Sequence, residues 1–218
     1  MEVSPIWSSI VTAAGGLLTG LAGTSGPLWH QRRALARARH AAEHDTTTGL
    51  PNRRALTAAV TRTVRRATPF GLVMLDLDGF KAINDTFGHE AGNDLLAEVG
   101  TRLAHLGPPV VMAARLSGDE FALLVAGGSD EIAAAAHAAW RAVSHPPVRL
   151  GEQAVPLRAS VGHTTATLGI SPRNLLHQAD TAMYQAKQTG GGVHGATEPG
   201  PVTDPPPGTR RRDLRHPH

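Results

Sequence analysis

Residues 110–126 read VVMAARLSGDEFALLVA. Two apolar runs of strand length, 110–116 and 121–126, flank Ser117, Gly118, Asp119 and Glu120, and a short polar turn between such runs predicts a β-hairpin. Two acids stand at its tip. Upstream, residues 70–76 (FGLVMLD) form another short apolar run, and it too ends in acids, Asp76 and Asp78 of LDLDGFK.

Working outward, helix signals alternate with these strands. Residues 52–67 carry Ala55, Leu56, Ala59, Val60 and Val64 at helical spacing. Residues 80–106 continue as a helical stretch interrupted near Phe87 and Gly88, with Leu95, Leu96, Val99 and Leu103 on one face. An alanine-rich helix is expected over 130–144 and a strand over 155–165. A last helix over 172–188 is N-capped by Ser171 with Pro172 at its first position. This order predicts an α+β fold, an antiparallel sheet covered by helices.

The chain has 218 residues with a formal charge of +3, which suits one ordinary domain plus appendages. It has no cysteine, which excludes disulfides, thiolate metal sites and a cysteine nucleophile. Aromatic residues are 4% of the chain, too few to supply a stacking platform for single-stranded nucleic acid, so a nucleic-acid partner is not expected.

Residues 6–29 carry no charge and have Trp7 and Trp29 near their ends. As a helix they would span roughly 36 Å, enough for a bilayer. Arginines follow at once, which predicts a single-pass anchor with its C-terminal side in the cytoplasm. Five glycines and six Ser/Thr residues dilute that apolarity, so a loose leader is the alternative. A signal peptide fits less well, because residues 1–5 have no basic charge. Segment 1–29 is thus read as an anchor and 30–45, rich in Ala and Arg, as a connecting helix. A globular domain is expected over 46–190, and 191–218 is expected to be a disordered Gly/Pro/Arg tail.

Carboxylates gathered at strand ends repel one another unless a cation intervenes, and hard oxygen ligands suit Mg²⁺ held by one or two acids plus substrate phosphates. Each acid pair taken alone reads more readily as solvated loop residues, which are normal at strand ends. Only two of the 21 basic residues are lysines, Lys81 and Lys187, and both lie in acid-containing or Gly-flanked motifs. A lysine is an effective point charge for phosphate, though either could be an ordinary surface residue.

Five motifs occurring in order change that balance: HDTTTGLPNRR at 44–54, LDLDGFKAINDTFGHEAGNDLL at 75–96, RLSGDEF at 115–121, ASVG at 159–162 and ADTAMYQAK at 179–187. Together they resemble the GGDEF family of diguanylate cyclase domains over roughly residues 45–190. The resemblance implies a nucleotide-cyclase-like palm, with a mostly antiparallel central sheet flanked by helices. It also implies a homodimer in which two GTP molecules condense to cyclic di-GMP and two pyrophosphates with Mg²⁺ or Mn²⁺.

By the same resemblance Asp76, the Leu77 carbonyl and Asp119 would hold metal, with Asp119 and its neighbour Glu120 as the catalytic acids. Gly79, Phe80, Lys81, Gly118 and Lys187 would surround the phosphates, and Asn84 and Asn93 would meet the guanine base.

Four departures matter. Ser117 stands where most members have glycine. Asn93 replaces an aspartate that would accept twice from guanine, whereas an amide offers one acceptor and one donor. Pro108, Pro109, Val110 and Val111 occupy the place of an Arg-x-x-Asp product-inhibition motif, so that primary site is expected to be absent. Gly191 also stands where an arginine is common. The alternatives are a degenerate nucleotide-binding scaffold with little turnover, or a cyclase with relaxed purine selectivity.

Overall fold

The computed structural model of the protein describes Trp29, Arg33, residues 40–66 and residues 68–196. Residues 29, 33 and 40–43 are helical. The expected anchor falls, apart from Trp29, outside the described residues, as do all but the first residues of the expected tail. Among the described residues no helix is long and apolar enough to cross a membrane.

In chain order the elements are α1 (Arg53–Val64), β1 (Phe70–Leu77), α2 (Phe80–Ala104), β2 (Val110–Ser117), β3 (Glu120–Ala126), α3 (Ser129–Ser144), β4 (Val148–Leu150), β5 (Gln153–Val155), β6 (Ala159–Thr165), α4 (Pro172–Gln188) and β7 (Gly192–Gly195). Five strands form one sheet in the order β2-β3-β1-β6-β7, antiparallel except for the β6–β7 pair. The expected α+β class and mostly antiparallel sheet are what the structure has.

Every residue of β1 is buried, as befits a central strand covered on both faces. Alternation along β1 sends Val73, Leu75 and Leu77 into a core shared with α2 and α3, and Leu72 and Met74 into a second core shared with α1 and α4. Asp76 is next in the second row. Its position in the sequence therefore places it on the α4 face.

Local signals set the element ends. The Asn52 side chain accepts from the Ala55 amide and starts α1, and Ser171 accepts from the Asn174 amide with Pro172 opening α4. The expected break in α2 falls at Gly88, whose φ of 86° and ψ of 163° lie outside helical geometry.

Two expectations need correction. The run 155–165 is not one strand: Gln153–Val155 pairs with Val148–Leu150 in a separate hairpin, and the sheet strand begins at Ala159. Pro156, which has no N–H to give a ladder, lies in the gap. The chain after Thr189 is also not wholly unstructured, because Gly192–Gly195 forms β7 beside β6. An edge strand held by main-chain bonds needs few apolar side chains, and Val193 alone of the four packs against the core.

Candidate active site

Cross-strand pairing builds the site as a row. Ser117 of β2 faces Glu120 of β3, Glu120 faces Asp76 of β1, and Asp76 faces Ser160 of β6. Directly opposed residues share one side of a sheet, so two acids and two hydroxyls lie along a single line on the α4 face. Helix α4 presents Leu175, Ala179 and Met183 to that face at intervals of four. Lys187 is the next residue in the series. Its Nζ donates to Asp76 Oδ1 at 2.7 Å.

The adjoining turns are tied into the same edge. The Leu77 amide donates to the Asp119 carbonyl at 3.3 Å, which brings the hairpin tip against the end of β1. The Asp78 amide donates to the Arg158 carbonyl at 2.9 Å, and Ser160 Oγ donates to Asp78 Oδ1 at 2.8 Å. Gly79 then caps α2, Phe80 is half-buried against the core, and Lys81 is exposed on the first turn. Gly118 sits at the tip with φ of 49°, and Asp119 beside it is half-buried.

Glu120 is buried, and its Oε2 receives Ser117 Oγ at 2.8 Å and Arg53 Nη2 at 3.3 Å. Asp76 is buried too. Burial pushes its carboxyl above the ordinary value, the Lys187 hydrogen bond opposes this, and the charges of Asp119 and Glu120 add to the rise. Lys187 is itself displaced upward: burial lowers it, but the Asp76 bond and the charges of Asp76, Asp119 and Asp78 outweigh burial. Asp76 is therefore a carboxylate short of positive charge, with an ammonium already drawn onto it.

The residues expected at the base lie farther along α2. Asn84 is half-buried and Asn93 exposed. Asn84 lies over Gly92, where a Cβ would come 1.9 Å from Asn84 Oδ1 and 3.4 Å from Phe80 Cζ. The bare Cα of Gly92 makes room for the asparagine.

Several supporting residues escaped the sequence reading. Arg115 donates through Nε and Nη2 to the Gly118 carbonyl at 2.9 and 2.8 Å, and through Nη1 to Asp45 Oδ1 at 2.8 Å. Asp45 also accepts from the Thr48 amide and hydroxyl. Burial raises the Asp45 carboxyl, but the bonds from Arg115 and Thr48 hold it below the usual value. Arg53, Ser160 and Gly92 complete this set. Arg53 and Arg115 lie inside the quoted motifs, but nothing in their spacing revealed which groups they meet.

Sequence and structure comparisons agree with this architecture. A family model described as the diguanylate cyclase GGDEF domain matches residues 42–192. The diguanylate cyclase TpbB of Pseudomonas aeruginosa is 35% identical over 164 residues, covering 68% of this chain and 36% of that protein. The cyclic di-GMP phosphodiesterase PdeR of Escherichia coli is 35% identical over 170 residues, covering 74% of this chain and 25% of PdeR. The chain thus spans about a third or less of these two relatives.

Among solved structures, the coiled coil and GGDEF domain of DgcB from Caulobacter crescentus, in complex with c-di-GMP, superposes with a TM-score of 0.75. It is 27% identical and covers 83% of this chain and 99% of that one. With the acid row on β1 and β3, the SGDEF turn and a family match over most of its length, the chain belongs to the GGDEF domain family.

Proposed function

We propose that the chain is a diguanylate cyclase, joining two GTP molecules into cyclic di-GMP with release of two pyrophosphates. The observation that carries this reading is the convergence of Asp76, Glu120 and Lys187 on one sheet edge, with Asp119 tied to it through Leu77.

A divalent ion fits this donor set. Among the described residues no three His, Cys, Asp or Glu side chains already form a metal cluster. Mg²⁺ needs fewer, because it takes one or two carboxylates plus phosphate oxygens. The Lys187 ammonium on buried Asp76 is a cation standing where a cation is wanted. Asp76 and Asp119 would hold the ion, joined by the Leu77 carbonyl. When bound it would activate the attacking hydroxyl and stabilise charge on the α-phosphate.

The chain's own groups do the rest. Lys187 moves its charge from Asp76 to phosphate oxygens, and Lys81 meets them from the start of α2. Glu120, pinned by Ser117 and Arg53, is held fixed beside Asp119. Asn84 and Asn93 orient the base. Each domain offers one such edge, so condensation of two nucleotides takes two domains face to face. We further infer that residues 6–29 anchor the chain in the membrane with the domain in the cytoplasm, and recovery in the membrane fraction checks this.

Purified full-length protein with labelled GTP and Mg²⁺ should yield cyclic di-GMP and pyrophosphate, and Asp119→Ala should yield neither. The resemblance to PdeR, named a phosphodiesterase, favours a second reading: a GGDEF module that binds nucleotide without turning it over. Nucleotide binding with no product would select it. Feedback at the usual primary site is expected to be absent, since Pro108 to Val111 offer no charge. Undiminished turnover at micromolar cyclic di-GMP would agree.

A further inference from the structure

Helix α4 ends at Gln188 with Thr189 as its cap, and Gly190, Gly191 and Gly192, with φ values of 92°, 97° and 101°, turn the chain back into β7. No side chain projects from this turn. A Cβ at Gly191 would lie 3.0 Å from Asp78 Oδ2 and 3.9 Å from Arg158 Nη2, so both groups flank the space that a side chain there would fill. Arg158 reaches it from the neighbouring strand end. Its carbonyl holds the Asp78 amide at 2.9 Å, and its Nη2 donates to the Gly190 carbonyl at 2.6 Å, three residues beyond Lys187.

That bond engages one of five guanidinium donors. Arg158 is exposed and borders an open cleft of about 420 Å³ together with Trp140, Ser144 and Gly190–Gly192. The side chain therefore has room to turn. Electrostatics gives it a reason to do so. Asp76, Asp78, Asp119 and Glu120 crowd this edge, and a nucleotide triphosphate adds more negative charge. Lys187, which leaves Asp76 for the phosphates, supplies one positive charge against these. A planar guanidinium is the group best suited to take two oxygens of a terminal phosphate at once.

We propose that Arg158 binds the terminal phosphate of the nucleotide, a role that rests on the cyclase reading of the site. It supplies, from the position just before β6, a charge that the glycine turn after α4 has no side chain to give.

The test compares full-length wild-type protein with Arg158→Gln and Arg158→Lys. Calorimetry with Mg²⁺ measures binding of GMP, GDP and 3′-deoxy-GTP, which lacks the attacking hydroxyl. Glutamine keeps a donor for the Gly190 carbonyl but loses the charge. The expected result is triphosphate binding about tenfold weaker in Arg158→Gln, a smaller loss for GDP, none for GMP, partial recovery in Arg158→Lys and an unchanged melting temperature.

Equal affinities in Arg158→Gln and wild type would overturn the proposal and leave the cyclase reading standing, as would an equal loss for all three nucleotides. A wild-type protein that binds none of the three would overturn both.

Discussion

Ser117 and Glu120 face each other across the β2–β3 turn, and the serine hydroxyl donates to Glu120 Oε2 at 2.8 Å. Ser117 stands where most GGDEF domains have glycine, so this chain carries an additional tether on its signature acid. Arg53 reaches the same oxygen at 3.3 Å from α1, although its side chain is 51% exposed and water screens it. Ser117→Ala is expected to cost about 1 kcal/mol in a denaturant titration, the net worth of one hydrogen bond. Arg53→Ala should cost less. Because both act on one oxygen, the double variant should depart from additivity by about 0.5 kcal/mol or more.

Asp76 and Lys187 set a pH dependence. The folded chain holds the Asp76 proton to a higher pH than the unfolded chain, chiefly because of burial. Stability therefore falls as pH rises from the ordinary value of 3.8 through the raised one, and the deficit persists at neutral pH. Asp76→Asn should be more stable than wild type at pH 7 without metal, with the difference shrinking towards pH 3.8. Lys187, half-exposed, stays hydrated without its partner. Turnover should drop about a hundredfold or more in the same variant, as expected when transition-state charge loses its support. Melting curves across pH, set beside activity, check both halves.

Gly92 gives a cleaner separation of stability from binding. A methyl group there would displace Asn84 Oδ1, the tip of a movable side chain rather than backbone. Gly92→Ala should leave stability unchanged or raise it by up to about 1 kcal/mol through helix propensity. If Asn84 meets the base, KM for GTP should rise several-fold. An unchanged KM would remove Asn84 from the guanine site.

Asn93 bears on purine choice. Its amide presents a donor where guanine also presents donors, a mismatch of about 1–3 kcal/mol if unrelieved. Asn93→Asp is expected to raise kcat/KM for GTP by about tenfold and to lower any use of ATP. Competition between the two nucleotides reads this directly, and identical selectivity in both proteins would contradict it.

Much of the architecture was legible because its signals are local. The 70–76 run, the Gly88 break, the Ser171–Pro172 cap and the 110–126 hairpin each announce themselves within a few residues. The strand β7 was not legible, since GVHG is held by backbone bonds to β6 that no side-chain pattern encodes. Nor was the end of the 155–165 run, where the Val155 and Ala159 segments alternate alike but belong to different sheets. At the site, the acids and lysines could be named from their motifs. Their partners could not, because Ser160 with Asp78 and Arg115 with Asp45 meet across 82 and 70 residues of chain.

The central claim is that carboxylates on β1 and at the β2–β3 turn take up a divalent ion together with a purine triphosphate. Mn²⁺ binding followed by electron paramagnetic resonance, with and without 3′-deoxy-GTP, measures that joint uptake. Wild-type protein should bind Mn²⁺ far more tightly once the nucleotide is present, and Asp76→Asn and Asp119→Asn should lose the enhancement. Enhancement of equal size in all three proteins, or in none, would contradict the account.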